Sequence, residues 1–133
     1  MHSKNIILVE APAGKVSDEK ITRLVEIEME RHSSRFGYYL IGGRWPRALD
    51  GKNILPIASL TQEHIDASNS IIAGGYWFER AIYRPWLPIG KGEGRMFEEK
   101  GAEEMPQAGW IQKEFKTVET SYQYFAVVVD CHT

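Results

Sequence analysis

Asp130 and His132 stand two residues apart, directly after the last apolar run of the chain. Residues i and i+2 of a strand point to the same face. A carboxylate in that position could orient an imidazole for acid–base chemistry or metal binding. Because no HxH or CxxC spacing accompanies the pair, we predict neither a bound metal nor a cofactor. The alternative is a plain strand end in which the intervening Cys131 is buried.

A second candidate site is the segment Gly42-Gly43-Arg44-Trp45, at the end of a predicted strand. Two glycines allow backbone conformations that other residues avoid and let a ligand or another strand approach closely. Arg44 supplies a forked, permanently charged donor and Trp45 a flat ring, which together suit a phosphate and a stacked base. The alternative is a β-bulge whose Trp fills the core and whose Arg makes a structural ion pair.

A third segment, residues 76–86, combines aromatic rings with Arg80 and Arg84. Strand alternation places Trp77 on one face and Tyr76 with Arg80 on the other. One face is expected to be core, and the other either an exposed aromatic binding surface or a face covered by a helix. Stacking rings beside arginines are typical of sites for nucleotides or single-stranded nucleic acid.

The elements that must position these segments alternate along the chain. Apolar runs predict strands at residues 6–9, 36–42, 54–57, 76–86 and 124–129. Helices are predicted from the N-cap Ser17 to about residue 32, over residues 61–73 after a capping box from Ser59 to Gln62, and near residues 110–120. Residues 90–109 are predicted to be a loop.

This order predicts an α+β fold in a single domain, residues 1–133. We expect a two-layer sandwich, ferredoxin-like or related, with a mixed sheet of 4–5 strands and 2–3 helices mainly on one face. The first and last apolar runs are expected at the centre of the sheet, since they are the most hydrophobic.

Composition narrows the classes of function. The chain has 133 residues, a net charge of −2 and a hydrophobic content of 43%. The nearly neutral charge argues against generic binding of duplex nucleic acid. A single cysteine excludes an internal disulfide framework, and no apolar stretch approaches the roughly 20 residues of a membrane span. We therefore expect a cytoplasmic protein. Aromatic residues are the unusually frequent class in this chain, with four Trp, six Tyr and five Phe.

Two segments carry a resemblance to a known family. The run from Gly37 to Trp45 (GYYLIGGRW) and the ending from Val127 to His132 (VVVDCH) are similar to an uncharacterised family of small phage and prophage proteins with an internal YxIGGRW segment and a C-terminal VVDCH segment. The resemblance implies a phage origin and a place in the host-cell cytoplasm. It implies no reaction.

Three functions remain open at this point. The first is a binding protein that counters a bacterial defence by sequestering a small nucleotide-derived signal or by binding a host defence protein. Its ligand would be held by six residues: Gly43, Arg44, Trp45, Trp77, Arg80 and Arg84. The second is a hydrolase of a nucleotide signal, with His132 as general base and Asp130 orienting it. The third is a protein-only inhibitor or a dimerising module, so a homodimer is possible. Whether the protein is an enzyme is left undecided.

Overall fold

The protein is described here by a computed structural model that covers residues 1–79, 87–89, 93–95, 103–115 and 122–133. Within these residues seven strands form one mixed sheet, and two more form a separate hairpin. The strands are β1 (His2–Pro12), β2 (Tyr38–Ile41), β3 (Ile54–Pro56), β4 (Ser70–Ala73), β5 (Tyr76–Glu79), β6 (Leu87–Ile89), β7 (Glu93–Arg95), β8 (Glu103–Glu104) and β9 (Tyr122–His132). The α-helices are α1 (Asp18–Glu30), α2 (Gln62–Asp66) and α3 (Ala108–Glu114).

Strands β1 and β9 form the centre of the sheet, whose order is β2-β9-β1-β4-β5-β8. They pair antiparallel over their whole length, from His2 opposite His132 to Pro12 opposite Tyr122. Strand β4 pairs parallel with the other edge of β1. The prediction that the first and last apolar runs occupy the centre is confirmed.

Alternation along the central strands builds two cores. Odd-numbered residues such as Ile7 and Val127 pack under α1, while even-numbered residues such as Ile6 and Val128 pack toward α2 and α3. All four of these side chains are fully buried. Strands buried on both faces are continuously apolar, as β1 and β9 are. The predicted α+β class with a mixed sheet is confirmed, although the described residues place seven strands in this sheet where 4–5 were expected. Two of the three described α-helices lie on the same face of the sheet.

Helix α1 forms where its sequence signals place it. The Ser17 side chain accepts a hydrogen bond from the backbone N–H of Lys20 at 3.1 Å, so it is the N-cap. Ile21, Val25 and Met29 recur every four residues and are the apolar stripe that packs on the sheet. The chain then continues into β2, and β9 lies between β1 and β2 in the sheet. The unit β1-α1-β2 is therefore a split β-α-β unit, as in ferredoxin-like folds.

The predicted second helix is too long and is wrong in its second half. Helix α2 ends at Asp66, and Ser70–Ala73 form strand β4 instead. Ile71 and Ile72 are β-branched and are buried on opposite faces of the sheet, which a strand next to β1 allows and a surface helix does not. The capping box of α2 also differs from the prediction, because Thr61 and His64 form it.

Strands β2 and β3 are two pieces of one edge position interrupted by a loop. Both pair antiparallel with β9. Between them Gly42 N–H donates to Val128 O at 2.9 Å, and Val128 N–H donates to Asn53 O at 3.0 Å. Residues 43–52 therefore leave the sheet and return to it at the same place. We call this excursion the edge loop. The predicted Asp50-Gly51 turn is its tip, with φ of 53° and 85°.

Several predictions lie partly or wholly outside the described residues. The predicted strand over 76–86 is described only as far as Glu79, so Arg80 and Arg84 are outside. The predicted loop over 90–109 is described only in part, and it is wrong where β7, β8 and the start of α3 lie in it. The helix near 110–120 is also described only in part, as α3, which begins earlier, at Ala108. No helix among the described residues is long and apolar enough to cross a membrane.

Candidate functional site

A row of aromatic and imidazole rings crosses three strands at one end of the sheet. Tyr38 of β2, His132 of β9 and His2 of β1 are direct cross-strand neighbours. The rings of Tyr38 and His132 stack, with centroids 4.7 Å apart and planes 9° from parallel. The His2 ring meets His132 edge-on, also with centroids 4.7 Å apart. We call these three side chains, together with Asp130 and Arg44, the histidine platform.

Asp130 is the buried anchor of the platform, at 3% exposure. Its Oδ1 lies 2.9 Å from Nδ1 of His2, and its Oδ2 accepts the backbone N–H of Arg44 at 3.0 Å. One carboxylate therefore holds β1 and the edge loop together on the end of β9. Burial of a charge without such partners would be strongly unfavourable.

The hydrogen bonds of Asp130 also set its charge. Burial alone raises the pKa of this carboxyl, but the hydrogen bonds from His2 and Arg44 and their positive charges outweigh burial, so its pKa lies below the ordinary value. Asp130 is consequently a carboxylate at neutral pH and can only accept hydrogen bonds. We therefore assign a proton to Nδ1 of His2, and Nε2 is the ring nitrogen that a ligand could contact.

The surroundings of His132 favour the neutral form of its ring. Burial lowers the pKa of its imidazole, and the nearby amino group of Met1, His2 and Arg44 lower it further, against the opposing effect of Asp130. The ring is therefore neutral at pH 7 and can accept a proton or a hydrogen bond.

The two glycines make this arrangement possible. Gly43 has a φ of 53°, and a Cβ built on it would lie 2.3 Å from Cβ of Asp130. Only a glycine lets the backbone come so close, and this approach brings the N–H of Arg44 to the carboxylate. Gly42, with a φ of 76°, fits against the side chain of Asn53 in the same way. The close backbone approach expected of this pair is therefore present, and it is made to Asp130.

Arg44 and Trp45 do different things. The Arg44 side chain is exposed. Trp45 is half-buried and packs against the core beneath α2 and α3. The backbone of Arg44 therefore joins the platform, and the packing of Trp45 agrees with that part of the alternative in which its ring contacts the core.

Trp77 lies on the other face of the sheet from Asp130. It is 8% exposed and packs in the α1 core. The His32 ring meets it edge-on at 5.6 Å, and the Arg35 guanidinium lies 5.4 Å from its centroid. The structure does not bring Trp77 together with Arg44, and Arg80 and Arg84 lie outside the described residues.

Cys131 also points away from the platform, as strand alternation requires. It is buried at 1% exposure, and burial above all raises the pKa of its thiol to about 12. Asn5, on the same face of β1, acts on this pKa in the opposite direction, but burial outweighs it. A thiol in this state is inert as a nucleophile or metal ligand. Among the described side chains, no group of three or more His, Cys, Asp or Glu could hold a metal ion.

Sequence reasoning did not assign His2 and Tyr38 to the site. Both become neighbours of His132 only through strand pairing. The signal that could have found them is the pairing of the first and last strands, which places the start of one beside the end of the other.

Comparison with known proteins adds no assignment: no protein-family model, curated protein or solved structure matches this chain. The histidine platform itself is therefore the basis for assigning a function. It offers a neutral imidazole, a second imidazole held by a carboxylate, an exposed guanidinium and an exposed phenol ring. Such a set can bind an anion and stack a flat ring.

Proposed function

We propose that the protein binds a small phosphorylated, nucleotide-derived ligand on the histidine platform. The observation that carries this proposal is the pair of hydrogen bonds that Asp130 makes, one with the His2 ring and one with the backbone N–H of Arg44. These bonds fix the imidazole of His2 and the backbone of Arg44, which carries the guanidinium side chain, at one end of the sheet. Arg44 is permanently charged and forms forked hydrogen bonds that match phosphate oxygens.

Ring stacking supports the nucleotide part of the proposal. Tyr38 is exposed, and His132 stacked on it fixes its orientation. An aromatic ring on an open sheet face beside a cation is a common surface for a base and its phosphate. The chain as a whole carries a charge of −2, so the positive charge is local. A local positive charge favours a small ligand over a long polyanion.

A thermal-shift assay with ADP-ribose and cyclic dinucleotides tests this function. Binding to the folded state raises the melting temperature, and Arg44→Ala is expected to abolish the shift. Arg47→Ala is the matched control, because it removes the same charge from the same exposed loop and does not touch Asp130. A shift that survives Arg44→Ala, or no shift with any of these compounds, contradicts the proposal.

A second candidate, hydrolysis of the same class of ligand, is favoured by the pair of imidazoles. In that reaction water attacks phosphorus, His132 takes the proton of the water, and the bond from phosphorus to the leaving oxygen breaks. His2, in its protonated form and steadied by Asp130, gives its Nε2 proton to the leaving oxygen. Asp130 therefore supports His2 rather than His132, the residue that it was expected to orient.

Product analysis separates the two candidates. If the protein hydrolyses its ligand, ³¹P NMR shows conversion that His132→Gln abolishes. If it only binds, the ligand is recovered unchanged while the thermal shift remains. Binding without turnover is what sequestration of a bacterial defence signal requires, which is the role that we propose for this protein.

A further inference from the structure

An aromatic cavity lies on the face of the sheet opposite α1, away from the histidine platform. Its volume is about 480 Å³, within the range of small-molecule sites. Ala73 and Gly74 of the β4–β5 turn region contribute to its wall, and the remaining lining residues are Tyr76, Phe78, Trp110, Glu114 and Phe115. Four of these seven residues are aromatic.

The four rings form a connected cluster. Tyr76 and Phe78 stack with centroids 6.0 Å apart, Phe78 meets Trp110 edge-on at 5.9 Å, and Trp110 meets Phe115 at 6.2 Å. Two of the rings are nevertheless open to solvent, because Tyr76 is 60% and Trp110 43% exposed. Exposed large aromatic side chains grouped around a cavity are typical of a binding site.

Helix α3 holds its part of the cavity firmly in place. Ile111 is fully buried in the core. Gln112 Nε2 donates to Leu60 O at 3.0 Å, and Ala108 N–H donates to the Gln62 side chain at 2.8 Å. Trp110 and Glu114 are one helical turn apart on this anchored helix, so they line the cavity together.

The charge of the cavity decides which ligands suit it. Glu114 is the only charged residue among the described residues that line it. The faces of aromatic rings carry partial negative charge, so both features attract a cation and repel a phosphate. We propose that the aromatic cavity binds a compact organic cation whose head group is a quaternary or methylated ammonium. This site is independent of the histidine platform and of its proposed ligand.

A titration with two compounds of the same shape tests the inference. Choline carries the quaternary ammonium, and 3,3-dimethylbutan-1-ol is its uncharged carbon analogue. By isothermal titration calorimetry, choline is expected to bind at least about ten-fold more tightly than the alcohol, because cation–π attraction and Glu114 act only on the charged compound. Equal affinity for both compounds, or no heat with choline, overturns the proposal.

Variants assign the binding to this cavity. Trp110→Ala is expected to abolish choline binding, and Glu114→Lys to weaken it at least about ten-fold. A lysine suits the last turn of α3, so Glu114→Lys is expected to stay folded. Glu30→Lys is the matched control, because it makes the same change at the exposed last residue of α1 and does not line the cavity. Choline affinity unchanged in both Trp110→Ala and Glu114→Lys would place the site elsewhere and overturn the assignment.

Discussion

Nδ1 of His2 lies 2.9 Å from Oδ1 and 3.1 Å from Oδ2 of Asp130, although 128 residues separate the two in the chain. The same carboxylate holds the backbone N–H of Arg44. These contacts join the start of β1, the end of β9 and the edge loop at one point. The stability of that end of the sheet and the shape of the histidine platform therefore depend on the same ionised group.

The first prediction concerns acid stability. Because the pKa of Asp130 is lower in the folded state than its ordinary value of 3.8, the stability it contributes is fully present above that value. It is lost as the pH falls through the lower folded pKa. Asp130→Asn is expected to flatten this acid limb and to cost about 2 kcal/mol at pH 7, through weakened charge-assisted hydrogen bonds. Urea unfolding between pH 2 and pH 7 measures both effects.

Asp66→Asn is the control for that series, since it changes an exposed carboxylate that the Gln62 side chain still reaches as an amide. An acid limb that is the same in the wild type and in Asp130→Asn would show that Asp130 contributes no pH-dependent stability.

The second prediction concerns the close approach of Gly43. A Cβ at this position would lie 2.3 Å from Cβ of Asp130 at a φ of 53°. Gly43→Ala is therefore expected to cost about 2–4 kcal/mol in unfolding free energy, from backbone strain and overpacking together. Gly51→Ala meets open space at a φ of 85°, so it carries the backbone cost alone, about 1–2 kcal/mol. Urea unfolding compares them, and equal losses would contradict the packing shown here.

The third prediction concerns Cys131. Its thiol is buried and its pKa is raised to about 12, so almost no thiolate exists at pH 8. We expect no reaction of the native protein with a disulfide reagent such as DTNB over minutes at pH 8, and release of one equivalent of thiolate after unfolding in guanidinium. The chain has one cysteine, which makes the readout unambiguous. Rapid reaction of the native protein would show that Cys131 is accessible.

The fourth prediction separates Trp77 from ligand binding. Trp77→Ala is expected to cost about 3–5 kcal/mol in stability, as for other buried large side chains. Trp77→Phe is expected to cost about 1–2 kcal/mol, because the ring remains and because the buried Nε1 of Trp77 has no hydrogen-bond partner among the described residues. Neither effect requires a change at the platform. Trp77→Phe should therefore leave the thermal shift with ADP-ribose unchanged. Loss of the shift in a folded Trp77→Phe variant would show that Trp77 contributes to ligand binding.

Local sequence signals predicted the features that depend on neighbours in the chain. The N-cap at Ser17, the glycine pair before Arg44 and the turn at Asp50 are all present. The continuous apolar runs of β1 and β9 gave their central position, since only a strand covered on both faces buries such a run. The alternation of Tyr76 and Trp77 between faces is also as predicted.

Features that depend on register and tertiary packing were beyond local signals. The contact between His2 and Asp130 requires knowing which residue of β1 lies opposite which residue of β9. Trp45 and Arg44 are adjacent in sequence, yet packing of Trp45 against the core separates their roles. Ser70–Ala73 form a strand because they pair with β1. The helical pattern of the residues before them led to the prediction of a helix that continues to Ala73.

The most direct test of the histidine platform is an NMR titration that follows the four imidazole rings of the protein. The chain contains four histidines, and His32 and His64 are buried within other contacts, so they serve as internal controls. With signals assigned by single His→Gln variants, addition of ADP-ribose or a cyclic dinucleotide is expected to shift the Hε1 resonances of His2 and His132 and to leave the other two unchanged. The shifts are expected to saturate in the wild type and to disappear in Arg44→Ala. Resonances of His2 and His132 that stay fixed with every ligand, or that shift equally in Arg44→Ala, would contradict ligand binding at the platform.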